Sequence, residues 1–137
     1  MDNIATAPLG RYDEGAVLAL YAAVGWTNYT QRPEMLRRAF SGSLCTLAAY
    51  DGERLVGLVR AVGDGASILC VQDLLVLPEY QRRGIGGRLL RELLARYHDV
   101  YQTMLLTDDT PEHAAFYEHA GFTKAEKYGC GAYVIFK

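Results

Sequence analysis

The chain has 137 residues, half of them hydrophobic and 22% charged, a composition typical of soluble globular proteins and unlike that of disordered chains. This length suits one domain over residues 1–137 and excludes a two-domain enzyme. The formal net charge of -2 excludes a global positive field that would attract nucleic acid or an anionic membrane, so we expect neither as a partner.

The predicted elements follow from hydrophobic spacing and from turn residues. In chain order they are a short strand at 3–7, helices at 13–23 and 33–41, an antiparallel hairpin at 44–50 and 55–62, a strand at 67–77, a helix at 84–97, a strand at 101–107, a helix from Thr110 that ends at Gly121, and last strands from 122 onward and at 131–136. The long apolar run at 67–77 is typical of a central strand covered on both faces. The order predicts a mixed α/β sandwich of one sheet with helices on its faces.

Targeting and metal signals are absent from the sequence. No stretch approaches the ~20 consecutive apolar residues of a membrane helix, and the first residues lack a signal-peptide pattern, so we expect a cytoplasmic protein. The three cysteines and three histidines match no zinc-binding spacing, so no metal site is predicted. We expect Cys45, Cys70 and Cys130 to be reduced thiols, with Cys45 and Cys70 as small core residues.

A glycine-rich loop joins the central strand to the helix at 84–97. Three glycines lie where this helix begins, so the backbone can approach a ligand, and the free N–H groups and the helix dipole favour an anion there. Residues 81–96 also hold five arginines and one acid, a local excess of four positive charges. The loop therefore predicts a phosphate site.

Two other phosphate-binding loops fail on spacing. A dinucleotide-binding fingerprint needs a third glycine where this chain has Leu89, and a P-loop needs Gly-Lys-Ser/Thr where the chain continues Gly86-Gly87-Arg88. A tight turn beside a solvated arginine face is the structural alternative. The preceding strand, Pro78 and the Gln-Arg-Arg run disfavour it.

Two motifs resemble those of a known family. The first, Leu74-x-Val76-x-Pro78-x-x-Gln81-x-x-Gly84-x-Gly86, resembles the acyl-CoA signature of the GNAT superfamily of N-acetyltransferases, and Phe116-Tyr117-x-x-x-Gly121-Phe122 resembles its second, C-terminal signature. The two lie at the separation that the family shows, and the element order matches over essentially the whole chain. The resemblance implies a GNAT-like fold, with a single central, mostly antiparallel sheet and helices on both faces in the order (β)-α-α-β-β-β-α-β-α-β-β. It also implies acetyl-CoA as cofactor and coenzyme A as product.

The resemblance implies which residues bind acetyl-CoA. Backbone N–H groups of the loop would hold the pyrophosphate, and the end of the central strand would pair with the pantetheine arm. Many relatives have Asn and Ala where this chain has Thr110 and His113. By the resemblance, Thr110 would cap the helix and contact the pantetheine, but it lacks the side-chain amide with which Asn would pair. The predicted coenzyme-binding residues are Leu74, Leu75, Val76, Gln81, Arg82, Arg83, Gly84, Ile85, Gly86, Gly87 and Thr110.

Acetyl transfer to an amine needs a neutral amine, a stabilised oxyanion and a protonated leaving thiolate. Asp73 is the ionisable residue nearest the acetyl-binding segment and is predicted as the base. A carboxylate hydrogen-bonded within the sheet and a water-relayed proton path are the alternatives. The Val76 N–H would donate to the oxyanion. By the resemblance, Tyr117 lies beside the sulfur and protonates it, with a packed ring as the alternative.

The resemblance implies that the acceptor side is built largely by the first two helices and their connection. Trp26 and Tyr29 would form an amphipathic wall for an alkylammonium or aromatic amine. The alternative is that Trp26 simply packs in the core beneath the loop. The expected reaction is transfer of acetyl to a primary amine of a small molecule by direct attack through a tetrahedral intermediate. A protein or peptide N-terminus or lysine as acceptor, and a non-catalytic acyl-CoA sensor, remain open. A homodimer through the C-terminal strands also remains open.

Overall fold

The computed structural model describes residues 3–137, which form two compact units that divide between Leu106 and Thr107. A single domain over residues 1–137 stays a prediction. The first unit contains β1 (Ile4–Pro8), α1 (Glu14–Ala23), α2 (Thr27–Thr30), α3 (Pro33–Ser41), β2 (Cys45–Asp51), β3 (Arg54–Gly63), β4 (Ile68–Val76), α4 (Ile85–Arg96) and β5 (Gln102–Leu105). The second contains α5 (Pro111–His119) and a 3-10 turn (Ala125–Tyr128).

The sheet of the first unit has the strand order β1-β2-β3-β4-β5. Neighbouring strands are antiparallel except for β4 and β5, which are parallel. The α4 helix connects these two parallel strands, since such a pair cannot be joined by a tight turn. The predicted mixed fold with a mostly antiparallel sheet is confirmed, and so is the short strand that precedes the first helix.

Helices cover both faces of the sheet, as predicted. A Cβ added at Gly57 would lie 3.5 Å from Leu89 Cδ1 on α4, so this side of β3 faces α4. Arg60, three residues further along β3, instead donates to the hydroxyl of Ser43, just after α3. Because successive side chains of a strand alternate between the two faces, α3 and α4 lie on opposite sides of the sheet.

The core is apolar and lies on both faces of the sheet, since Val17 and Leu20 of α1 are as buried as the leucines of α4. Leu89, Leu90 and Leu93 are fully buried and form an apolar stripe along α4. The same stripe extends to Ile85, which is 3% exposed in the first turn. None of the helices within residues 3–137 is long and apolar enough to span a membrane.

The predicted last strands, from 122 onward and at 131–136, are wrong. Residues 122–137 contain only the 3-10 turn, and Gly129, with a φ of 74°, ends that turn. Alternating apolar residues give a segment the propensity to form a strand, but a strand also needs a neighbouring strand to pair its backbone. Residues 131–136 pair with no strand of the described chain, and Tyr133 within them is 97% exposed.

Smaller corrections concern the N-terminal half. The helix α2 was not predicted, because four residues are too few to show a helical period. Cys45 and Cys70 are half-buried rather than core residues, since both lie near strand ends, while Cys130 is exposed. All three are free thiols, as expected.

Candidate active site

The β4 strand has an open edge at its C-terminal end. The β5 strand pairs with β4 only from Ile68 to Val71, whereas β4 continues to Val76. Residues 72–76 therefore have β3 on one side and, in the described chain, no strand on the other. The parallel pair opens at this point and leaves backbone groups available to a ligand.

Backbone alternation shows which groups face the open edge. The N–H of Leu77 donates to the carbonyl of Val56 on β3 at 2.8 Å, so Leu77 and Leu75 direct their backbone groups toward β3. Successive residues of a strand direct these groups to opposite edges. The N–H groups of Leu74 and Val76 therefore point to the open edge. These are two of the residues that the first motif predicted to pair with the pantetheine arm.

The loop after β4 is anchored to the same edge. A 3-10 turn at Pro78–Tyr80 reverses the chain, and the Gln81 side-chain amide donates to the carbonyl of Val76 at 3.0 Å. Arg82 has a φ of 63°, an uncommon conformation for a residue with a side chain. The sequence-predicted Gln81 thus acts within this structure as a brace between the loop and the open edge.

The α4 helix begins without a side-chain cap. Gly84 is its N-cap, with a φ of 79°, and no side chain accepts from the first turn. Arg88 is the first residue whose N–H bonds back within the helix, to the carbonyl of Gly84 at 3.0 Å. The N–H groups of residues 85–87 thus lack intrahelical acceptors, and together with the helix dipole they form an anion-binding end.

The arginines around this helix differ in how firmly they are held. Arg88 donates to the carbonyl of Ile4 at 3.0 Å and pairs with Glu92 at 3.4 Å. Arg83 lies 4.8 Å above the ring of Tyr80 and donates to a carbonyl at 3.0 Å, although its side chain is exposed. The exposed Arg82 has no carboxylate partner among residues 3–137. Arg82 and Arg83 are therefore the loop cations that a phosphate can reach.

Asp73 is buried on the face of the sheet that carries α1 and α3. Its Oδ2 accepts from Arg60 Nε at 2.7 Å and from the Tyr21 hydroxyl at 2.8 Å. Arg60 also donates to Ser43 Oγ at 3.2 Å, and its guanidinium lies 5.5 Å from the centre of the Phe40 ring. Asp73 is thus the centre of a closed polar network inside the protein.

The network keeps its groups in fixed charge states. Burial raises the pKa of the Tyr21 phenol, and the adjacent Asp73 carboxylate raises it further, so this hydroxyl remains a donor. Burial by itself lowers the pKa of Arg60, but the charge and hydrogen bond of Asp73 outweigh it, so the pKa rises. Arg60 is a permanent cation beside Asp73.

Trp26 and Tyr29 lie beside this network. The Tyr21 ring contacts both of them edge-on, with centroid distances of 5.8 Å to Trp26 and 5.2 Å to Tyr29. Tyr29 and Trp26 are half-buried, and the Gln72 amide donates to the Tyr29 hydroxyl at 3.4 Å. Gln72 is the bulged residue of β4, next to Asp73. The two predicted acceptor-wall residues and the predicted base are therefore brought together around Tyr21.

A local motif fixes the Trp26 ring. The α1 helix ends with Gly25 at a φ of 81°, and the Trp26 N–H bonds to the carbonyl of Tyr21, while the Gly25 N–H bonds to that of Ala22. These two bonds and the ring contact between Trp26 and Tyr21 form a Schellman cap with its usual apolar contact. The sequence Tyr-x-x-x-Gly-Trp encodes it.

In the second unit, the motif around Tyr117 has the same construction. The Phe122 N–H bonds to the carbonyl of Tyr117 at 3.0 Å, the Gly121 N–H bonds to that of Glu118, and Gly121 has a φ of 103°. The rings of Tyr117 and Phe122 are 5.8 Å apart. The second sequence motif is therefore also a Schellman cap, and it fixes the Tyr117 ring at the end of α5.

Tyr117 and Thr110 have defined surroundings within the second unit. Burial raises the pKa of the half-buried Tyr117 phenol, and its hydrogen bond with Thr107 acts in the opposite direction. The Thr110 side chain caps α5 by accepting from the His113 N–H at 3.1 Å. Tyr117 is thus held protonated at neutral pH, the state that a proton donor requires.

Comparison with known proteins identifies the family. The family description "Acetyltransferase (GNAT) domain" matches residues 42–124, more than half of the chain. This chain belongs to the GNAT family. The GNAT chain is 42% identical to a solved GNAT-family acetyltransferase from Streptococcus pneumoniae TIGR4, with a TM-score of 0.89 and 98% of both chains covered. The resemblance of the two motifs is confirmed at the level of the family.

Two further relatives bear on this GNAT chain. The mycothiol acetyltransferase of Kineococcus radiotolerans is 33% identical over 118 residues, which are 82% of this chain and 39% of that protein. The PaiA N-acetyltransferase of Thermoplasma acidophilum, solved in complex with coenzyme A, has the same fold, with a TM-score of 0.67, 19% identity and 88% and 90% of the two chains covered. The chain spans about half the length of the curated relatives it matches.

The sequence of this GNAT chain did not reveal the two residues that hydrogen-bond Asp73. The sequence gives Arg60 no role beyond the strand predicted at 55–62, and Tyr21 none beyond the helix predicted at 13–23, although Tyr21 is fully buried and Arg60 is 4% exposed. A signal was present. Arg60 and Asp73, of opposite sign, are the only charged residues in the consecutive strands predicted at 55–62 and 67–77, and antiparallel strands bring such residues face to face.

A separate groove of about 570 Å³ lies near the C-terminal end of α4. Its lining includes Tyr12, Phe40, Leu44 and Arg96, and none of the predicted site residues of this GNAT chain. The candidate site is instead an open strand edge and a helix end. No group of three or more potential metal ligands occurs among residues 3–137.

Proposed function

We propose that this protein transfers the acetyl group of acetyl-CoA to a primary amine of a small molecule. The observation that carries the proposal is the open end of β4, where the N–H groups of Leu74 and Val76 are unpaired by any strand and the chain leads into the uncapped N-terminus of α4. A ligand with an extended arm that ends in a diphosphate matches these donors, because the N–H groups of the strand edge are followed by those at the start of the helix. Family membership supports the same conclusion.

The residues present fit acetyl-CoA. The pantetheine amides would pair with the open β4 edge as an added strand, through the backbone groups of Leu74 and Val76, while the Leu75 side chain lines that segment. The diphosphate would accept from the N–H groups of Ile85, Gly86 and Gly87, since no side chain accepts a capping hydrogen bond at that helix end. Gly84 leaves open space there, because an added Cβ would have no atom within 4 Å. Arg82 and Arg83 would supply the compensating charge, and Thr110 would hold the start of α5.

Bound acetyl-CoA supplies an acetyl group activated as a thioester. The new bond forms between the amine nitrogen and the acetyl carbon, and the carbon–sulfur bond breaks. The Val76 N–H would donate to the acetyl oxygen as negative charge develops on it, a contribution of about 3 kcal/mol for comparable backbone donors. Tyr117 would give its proton to the departing sulfur. Its half-buried, protonated phenol supports this role.

The structure favours a positioning role for Asp73 over that of a direct base. The same oxygen of this carboxylate already accepts from Arg60 and Tyr21, and the side chain is 2% exposed. A base must instead present a free lone pair to its substrate. We therefore propose that Asp73 orients Tyr21 and the aromatic wall of Trp26 and Tyr29, and that water carries the amine proton away.

An amine panel tests the proposal. The purified chain is assayed for coenzyme A release with acetyl-CoA and polyamines, arylalkylamines, amino acids, and peptides with free N-termini or lysines. Release that depends on a small amine, together with a mass increase of one acetyl group on that amine, supports the proposal. Acetylation of peptides alone would move the acceptor to proteins. Tight acetyl-CoA binding without release for any amine would identify a sensor.

A further inference from the structure

A cluster of side chains links the loop before α4 to the turn between β2 and β3. The turn is tight, because β2 ends at Asp51 and β3 begins at Arg54. The Tyr80 hydroxyl donates to the Asp51 carboxylate over a separation of 29 residues, and the Arg54 guanidinium lies 5.5 Å from the centre of the Tyr80 ring. Tyr80 is thereby held from both ends of the turn. We call these three residues, together with Glu79 and Arg83, the Tyr80 cluster.

Arg83 is the member of the Tyr80 cluster that can pair with an anion from outside the chain. Arg54 pairs with Glu79 at 3.0 Å. The Asp51 carboxylate accepts from the Tyr80 hydroxyl, and this hydrogen bond raises the pKa of the phenol, so the hydroxyl remains a donor. Arg83 donates to the backbone carbonyl of Glu79 at 3.0 Å and has no carboxylate partner among residues 3–137. Its positive charge is therefore unpaired within the part of the chain that the structure describes.

The Tyr80 ring restricts the Arg83 side chain before any ligand binds. The Arg83 guanidinium lies 4.8 Å from the ring centre, within the roughly 6 Å over which a cation and an aromatic face attract each other. The hydrogen bond to the Glu79 carbonyl fixes the guanidinium at a second point. A guanidinium has several N–H donors, so others remain for a phosphate. A flexible side chain that is already ordered loses less conformational freedom on binding, and this raises the affinity.

The loop itself is anchored on two sides just before Arg83. The Gln81 amide donates to the carbonyl of Val76 on the open edge of β4, and the preceding residue, Tyr80, is bound to the β2–β3 turn. The α4 helix begins two residues after Arg83, at Ile85. Two residues span at most about 7 Å, so the Arg83 backbone lies beside the free N–H groups at the start of α4.

We infer that Asp51 and Tyr80 are positioning residues, which hold Arg83 in place for a phosphate group of acetyl-CoA. The inference rests on the proposed function, because that function requires the coenzyme at this helix end. Asp51 fixes the Tyr80 hydroxyl, and the Tyr80 ring fixes the Arg83 guanidinium. Arg83 in turn pairs with the phosphate, so neither Asp51 nor Tyr80 needs to contact the coenzyme. The affinity for the coenzyme therefore depends on a turn outside the loop that binds it.

Calorimetric titration with coenzyme A tests this coupling in variants whose circular dichroism is unchanged. Arg83→Met removes the cation and should raise the Kd about tenfold, whereas Tyr80→Leu should raise it about threefold through loss of the cation–π contact. In the Arg83→Met background, Tyr80→Leu should change the Kd by less than about 1.5-fold, because no cation remains to be positioned. Equal effects of Tyr80→Leu in the two backgrounds would overturn the inference.

Asp51 and a second tyrosine supply a conservative variant and a control. Asp51→Ala and Tyr80→Phe remove the same hydrogen bond, so each should raise the Kd for coenzyme A about twofold. Asp51→Asn keeps an acceptor oxygen and should recover most of that loss. Tyr50→Leu is the matched control and should leave the Kd unchanged, because Tyr50 is half-buried like Tyr80 but its ring contacts no cation in the described chain. A wild-type Kd in both Asp51→Ala and Tyr80→Phe would contradict the role of Asp51.

Fragments of coenzyme A distinguish the positioning of Arg83 from damage to the loop. Inorganic diphosphate has the charge without the arm, and pantetheine has the arm without the charge. In NMR titrations, Tyr80→Leu should weaken the binding of diphosphate about threefold and leave that of pantetheine unchanged. Equal weakening of both would indicate a damaged loop and reject the inference.

Failure of the inference and failure of the proposed function give different results. A wild-type chain that binds coenzyme A with the couplings described, but transfers acetyl to no amine, would contradict the proposed function and still support the inference. A chain that transfers acetyl but binds coenzyme A equally well in Arg83→Met would contradict the inference alone. A chain that does not bind coenzyme A would contradict both.

Discussion

Arg60 and Asp73 form an ion pair across β3 and β4, with 2.7 Å between Arg60 Nε and Asp73 Oδ2. Both side chains are almost fully buried, 5% and 2% exposed. Burying two charges is expensive, and their attraction repays the cost only where the geometry is good and other partners complete the hydrogen bonding. Tyr21 and Ser43 provide those partners. The pair therefore ties the bulged segment of β4 to the helices that carry the predicted acceptor wall.

Breaking this pair from one side should be costly. Arg60→Met leaves the Asp73 carboxylate buried without its cation, so we expect the free energy of unfolding to fall by about 3–5 kcal/mol. The double variant Arg60→Met/Asp73→Leu removes both charges and should lose much less than the sum of the two single variants. Urea unfolding of the four proteins measures the coupling. Additive losses would show that the two groups do not interact.

Replacing Tyr117 should separate chemistry from binding. Tyr117→Phe keeps the ring in the α5 cap but removes the proton donor, so we expect kcat to fall about 10²-fold or more while the Kd for acetyl-CoA stays unchanged. The initial rate of coenzyme A release measures kcat, and calorimetric titration measures the Kd for acetyl-CoA. Tyr128→Phe, at a tyrosine that is 74% exposed in the same unit, is the matched control and should leave both unchanged. An unaltered kcat in Tyr117→Phe would remove this residue from the mechanism.

Trp26 should affect the amine more than the coenzyme. Trp26→Ala removes the ring held against Tyr21 by the α1 cap, so the KM for an arylalkyl or alkylammonium acceptor should rise about tenfold, as expected for loss of a cation–π contact of 1–2 kcal/mol. The KM for acetyl-CoA should stay within about twofold in the same assay. The opposite pattern, with an unchanged amine KM and a large drop in the urea midpoint, would assign Trp26 to the core alone.

Asp64 should contribute to acid sensitivity. Its carboxylate accepts from the Ser67 hydroxyl and from the N–H groups of Ala66, Ser67 and Ile68, and these bonds lower its pKa in the folded protein. A depressed folded pKa stabilises the protein above the unfolded value of ~3.9, and this stabilisation is lost as the pH falls toward the folded value.

The Asp64→Asn variant tests this linkage. It should unfold more easily than the wild type at pH 7 and should lose less stability between about pH 5 and 2. Urea midpoints across that pH range measure the difference. Asp108→Asn is the control, because Asp108 is exposed and its side chain accepts no hydrogen bond in the described chain. Parallel acid profiles for Asp64→Asn and the wild type would contradict the assignment.

Features that depend on neighbours in sequence were predictable. The α4 stripe, the glycine loop and the proline and threonine at the start of α5 are local, and each element lies where the pattern predicts it. The Tyr-x-x-x-Gly-aromatic sequences at Tyr21 and Tyr117 are equally local, because a left-handed glycine and two backbone bonds within six residues close each cap. Local geometry alone therefore fixed the rings of Trp26 and Phe122.

Other features were decided by tertiary structure, because they depend on which distant segments meet. Asp73 accepts from residues 13 and 52 positions away, and only the packing of α1 and β3 against β4 shows that its Oδ2 already accepts two hydrogen bonds. The open β4 edge exists because β5 stops pairing at Leu105, a length that no local pattern encodes. Residues 131–136 have the composition of a strand, yet a strand exists only where it pairs with another, and residues 131–136 pair with none in the described chain.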